Sequence, residues 1–213
     1  MIRRAIARGL PQGLVLADSA YGDSSEWRAA LRHHGLDYGV GIGPNTSVCR
    51  LDSLGRRRGD PLKAADVAAG QPLRRYTWRE GTGRKLAARF AFERVVVAPD
   101  DGTDPCERES VWLVTEWRYD EDKPRFHLTT LPADLPGKYI IHLLKQRWRT
   151  ERVYQDMKGD LGLDHFEGRS FRGWHHHVSV ALCCYAFVAA ERARHFPPEI
   201  SRSRSDRPVT CAA

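Results

Sequence analysis

No stretch of the sequence approaches the ~20 consecutive apolar residues that a membrane-spanning helix needs, and the opening MIRRAIARGLPQG carries arginine without the apolar core of a secretory signal. Cysteine is sparse. The five present (Cys49, Cys106, Cys183, Cys184 and Cys211) include no C-x-x-C pair, which argues against a zinc site and for reduced thiols in a cytoplasmic protein. What is present is positive charge: Lys and Arg outnumber Asp and Glu 34 to 27, for a net charge of +7. That balance suits a polyanion such as nucleic acid, although a generally arginine-rich composition explains it equally well. With 41% apolar and 29% charged residues, the 213-residue chain reads as globular rather than disordered, long enough for one ordinary or one interrupted domain.

The first 43 residues alternate. IRRAIARG reads as a short helix closed by Gly9, LVLAD as a buried strand, EWRAALRHHG as a helix capped by Ser24 or Ser25 and stopped by Gly35, and LDYGVGIG as a second strand. Helix–strand alternation predicts an α/β sheet with crossover connections. Pro44 begins a different texture, rich in Gly, Arg and turn residues. It holds the strand-like runs LRRYTWRE, LAARFAFERVVVAP, SVWLVTEW and PRFHLTTLP, the first two joined by a hairpin at Gly81-Thr82-Gly83. PDDGTDPCERES reads as a loop. The expected organisation is a partial core over 1–43, a β-rich insertion over 44–130, a region of two helices over 131–194 and a disordered tail over 195–213. The later helix, around VSVALCCYAFVAA, is apolar nearly all round and is expected to be buried.

LVLAD poses a chemical question, because a buried-looking strand ends on a carboxylate, Asp18. A second carboxylate stands in Leu144-x2-Arg147-x3-Glu151-x6-Lys158. On a helix, Arg147, Glu151 and Lys158 fall within about 40° of one another, an acid between two bases. Taken alone, the stripe also fits an ordinary i,i+4 surface ion pair worth ~0.3–0.5 kcal/mol.

Together these segments resemble the DDE transposases of bacterial insertion sequences, in the group whose ribonuclease-H-like core carries a β-rich insertion. Arg147, Glu151 and Lys158 match that group's Tyr-x2-Arg-x3-Glu-x6-Lys motif, with Leu144 in place of the tyrosine. LADSAYGD resembles the strand of the second aspartate, and TWREGTGRK resembles part of the insertion. The resemblance runs from about Leu14 to Arg194. It implies that Asp18 and Glu151 are catalytic carboxylates holding Mg²⁺ or Mn²⁺ in a two-metal site. It further implies that Arg147 and Lys158 contact DNA phosphate. The partners would be double-stranded DNA at the element ends and at the target, with a homo-oligomer admitted and no membrane. The expected reaction is metal-dependent DNA cleavage and strand transfer.

One feature departs from the family. No Asp or Glu precedes Asp18, where the resemblance calls for a first catalytic aspartate on an earlier strand. The expectation is therefore a truncated, inactive copy, with a non-catalytic remnant that binds DNA or an intact transposase as the alternative. Three further features admit two readings each. Trp78 could stack on an extruded base or pack the insertion's core. His175, His176 and His177 could suggest a metal, but consecutive helical residues point apart. Arg56-Arg57-Arg58 suits a phosphate backbone or a solvated loop.

Overall fold

The computed structural model describes residues 2–81, 83, 85–98 and 110–195. They fall into two compact units, residues 1–148 and 149–213, each described here by itself.

The first unit is built on a mixed eight-stranded sheet. The strands are β1 (Val15–Ala17), β2 (Tyr38–Ile42), β3 (Ser47–Leu51), β4 (Arg57–Lys63), β5 (Arg74–Trp78), β6 (Leu86–Val97), β7 (Val111–Arg118) and β8 (Arg125–Thr129). Their spatial order is β1-β2-β8-β7-β6-β3-β4, and β5 also pairs with β6. β1 and β2 are parallel, whereas β2 pairs antiparallel with β8. The strands after Gly43 continue the sheet begun by β1 and β2.

Between the first two strands lie α2 (Ser19–Gly22) and α3 (Ser25–His33); α1 (Ile2–Ala7) precedes them. Local chemistry sets these bounds. The Ser24 hydroxyl accepts from the Trp27 N–H and caps α3, and Gly35 leaves it with φ +69°. Alternation along the strands gives the sheet two apolar faces. Val40, Val95, Val97, Leu113, Phe126 and Leu128 face one side, where Ile2, Ile6, Trp27 and Leu31 from α1 and α3 pack on them. Trp78, Ala88, Phe90 and Val114 face the other, beneath Ile140 and Ile141 of α5 (Gly137–Leu144).

Three local expectations change. The Gly- and Arg-rich stretch after Pro44 contains the hairpin β3–β4 and the helix α4 (Ala64–Ala69). β4 carries Arg57, Arg58, Asp60 and Pro61, a composition that hides a strand, yet it lies at the sheet edge, where a proline breaks no ladder. The long helix expected after Pro136 is instead α5, a 3-10 turn at Lys145–Arg147, and α6 (Trp148–Leu161).

The third change lies in the second unit, which holds most of α6 and all of α7 (Phe171–His195). Gly162, at φ +62°, ends α6, and the His177 ring donates to its carbonyl oxygen at 2.9 Å. α7 was expected to be buried. Instead, Ala181 is its one buried residue among those described, and Phe171 and Phe187 are 77% and 66% exposed. An apolar residue is buried only where another element covers it, and the apolar side chains of α7 point all round the helix. The expected loop from Pro99 to Glu109 and the tail from Phe196 lie outside the described residues, as do Cys106 and Cys211.

Candidate functional site

Asp18 stands immediately after β1, at the carboxyl end of that strand, and is exposed. It caps α2, its Oδ1 accepting from the Ala20 N–H at 3.2 Å, while its carbonyl oxygen accepts from Gly22 N at 2.9 Å. Two glycines allow that tight turn. A Cβ on Gly22 would run into the Gly41 carbonyl oxygen, and a Cβ on Gly41 would come within 3.1 Å of Ser19 N. α2 therefore lies directly against β2. The buried Arg28 holds the turn from below by donating to the Gly22 carbonyl oxygen. A second carboxylate, Asp23, lies on the same rim. Its Oδ1 accepts from Gly43 N at 2.7 Å and from the Thr46 hydroxyl at 3.2 Å, so it serves the exit from β2.

The segment bearing Arg147 approaches the same part of the sheet. The turn Lys145–Arg147 packs against β1. Leu144, which stands where the resembling motif has tyrosine, lies over the space above Gly39, beside Leu16. Arg147 is exposed in that 3-10 turn rather than on α6, so the three-residue helical stripe expected from spacing is reduced to two. In the second unit, Glu151 and Lys158 are both exposed on α6, two turns apart and hence on one face. Glu151 is in the first turn of α6, where the helix dipole favours a carboxylate.

Beneath Lys145 lies a cluster that sequence spacing did not flag. Glu116 on β7 is wholly buried, at 0% exposure. The Lys145 ammonium lies 2.6 Å and 2.5 Å from its two oxygens, and the His127 Nε2 lies 3.4 Å away. The same ammonium sits 4.7 Å above the centroid of the Trp78 ring and 5.8 Å from that of Phe90. Burial pushes the Glu116 carboxyl up. Hydrogen bonding to His127 and the Lys145 charge outweigh that push and hold it at about 2. Burial also draws the Lys145 ammonium down, opposed by Glu116.

Trp78 itself is 7% exposed and donates its indole N–H to Glu80 at 2.9 Å. It fills the core and presents no face on which an extruded base could stack. His175 meets the Phe171 ring edge-on, whereas His177 lies against Phe166, so the histidines do diverge. Arg56 is occupied by Asp52 at 3.2 Å.

Asp18 and Glu151 offer hard oxygen donors of the type Mg²⁺ and Mn²⁺ take. Among the described residues, however, no three His, Cys, Asp or Glu side chains gather as a ligand set. The donor chemistry of each carboxylate fits such an ion.

The first unit is thus an α/β domain on a mixed sheet, with an exposed aspartate at the carboxyl end of a parallel strand. The model of the transposase DDE domain family matches residues 1–187, and the chain belongs to that family. A comparison with curated proteins finds no match. Among the described residues, no helix is long and apolar enough to cross a membrane.

Proposed function

We propose that this chain carries the carboxylate-bearing part of an insertion-sequence transposase, whose reaction is cleavage of DNA at the element ends and joining to a target. In this reading Asp18 and Glu151 are two of the carboxylates that hold Mg²⁺ or Mn²⁺, and Arg147 and Lys158 contact phosphate. Asp18 would lie on a ribonuclease-H-like core into which residues 44–130 are inserted. The observation that carries it is the position of Asp18, exposed at the carboxyl end of β1, with the Lys145–Arg147 turn packed against that same strand. Carboxyl ends of strands are where α/β sheets take their ligands.

A metal-directed cleavage experiment tests the reading without requiring activity. Fe²⁺ substituted for Mg²⁺, with ascorbate and peroxide, cuts the backbone beside the ion. Cuts near both Asp18 and Glu151, lost in Asp18→Ala, are expected. Cuts elsewhere, or cuts unchanged in that variant, would refute the pairing. The second reading is a non-catalytic copy that binds DNA or an intact transposase. In that case duplex binding persists and no Fe²⁺ cutting is seen.

A further inference from the structure

Arg75 on β5 and Arg89 on β6 are register partners, and Arg89 is in turn the register partner of Trp117 on β7. The three side chains therefore form one row across three adjacent strands, spanning about 10 Å at ~4.8 Å per strand. Both arginines are exposed. The Arg89 guanidinium lies 5.9 Å from the Trp117 ring centroid and 5.8 Å from that of Tyr119, which is itself 60% exposed.

Like charges directly opposite one another on neighbouring strands are unfavourable. Neither arginine has an ion-pair partner among the described residues. The nearby acids are already engaged, Asp120 by Arg118 at 3.5 Å and Glu121 by Arg125 at 2.5 Å. Both rings lie within cation–π range of the Arg89 guanidinium, a group that can grip phosphate with two parallel hydrogen bonds. Among the described residues β5 pairs only with β6, so no described strand flanks Arg75 on its far side.

We infer that the Arg75–Arg89–Trp117–Tyr119 row is a docking surface for the phosphate backbone of duplex DNA, separate from Asp18 and from Arg147. A polyanion relieves the repulsion between the two arginines and satisfies donors that the protein leaves open. The contact is to backbone and carries no sequence preference. The inference rests on the reading that the chain binds DNA.

The test is fluorescence anisotropy with a labelled duplex, between 50 and 200 mM salt. It compares the chain with Arg75→Gln/Arg89→Gln, which keeps a long aliphatic stem over Trp117, and with Arg3→Gln/Arg4→Gln, which removes the same charge from α1. Loss of two phosphate contacts makes the slope of log affinity against log salt shallower by about 2. The first variant should show that change and bind at least tenfold more weakly at 100 mM salt, with an unchanged thermal midpoint; the α1 variant should stay close to the parent. Equal effects in the two variants, or no effect in the first while the parent still binds, overturn the inference and leave DNA binding standing. No salt-dependent binding by the parent sinks the DNA reading and this surface together.

Discussion

The Lys145 ammonium and the Glu116 carboxylate meet at 2.5 Å over the sheet, joining the turn that carries Arg147 to the middle of β7. Glu116 is fully buried and the Lys145 side chain is 16% exposed, so this pair differs in kind from the surface pairs around it. Breaking one partner leaves an uncompensated buried charge, at a cost of about 3–5 kcal/mol. Lys145→Met should therefore lower stability by roughly that amount in urea unfolding. Glu116→Leu combined with Lys145→Met should recover most of it, because replacing both charges by apolar groups is often neutral. A double variant no more stable than the single one would show that the pair is not the source of the loss.

The same carboxyl sets an acid limit. Its folded value, about 2, lies below the ordinary 4.5, so folding favours the ionised form. The resulting stability is fully present above about pH 4.5 and is lost as pH falls toward 2. At ~1.4 kcal/mol per unit the contribution is about 3 kcal/mol. Urea midpoints measured from pH 5 to pH 2.5 should fall steeply in the parent and less steeply in Glu116→Gln.

Gly22→Ala places a methyl where the Gly41 carbonyl oxygen stands. Overpacking of this kind costs about 1–3 kcal/mol, and here the strain falls on the turn that holds Asp18. The expected result is a lower thermal midpoint together with altered Fe²⁺ cutting near Asp18. Gly70→Ala meets open space and serves as the control.

Arg147→Ala and Lys158→Ala should each weaken duplex binding and each reduce the salt slope by about 1, uniformly across DNA sequences. Anisotropy titrations at several salt concentrations read this directly. A slope unmoved by either change would remove these side chains from the DNA contact.

Much of the first unit was legible because its signals are local. Ser24 and Gly35 mark α3 through capping and positive φ, the unbroken apolar run Leu14–Leu16 marks β1, and the structure puts both elements in place. β4 was hidden because an edge strand with Arg57, Asp60 and Pro61 has no apolar pattern to read. The Glu116–Lys145 contact joins residues 29 apart that no spacing rule connects. Arg147 left the helical stripe because periodicity cannot register three residues of 3-10 turn at Lys145–Arg147, which shift the angle of everything that follows. The exposure of α7 was equally illegible, since an apolar sequence states what a helix can bury and not whether anything is there to cover it.

The antiparallel joint between β2 and β8 also sets a clock. At that joint the Tyr38 N–H donates to the Thr130 hydroxyl at 3.0 Å, across 92 residues of chain. At roughly 5–20 residues per second on the ribosome, β2 waits about 5–20 s for its partner strand to be made. During that interval β1 can pair with β2, while the edge of β2 that takes β8 stays open. Closing so long a loop is slow even once synthesis is complete. The turn around Asp18 is thus made well before the strand that locks its neighbour β2, so chaperone occupancy and translation speed should influence yield.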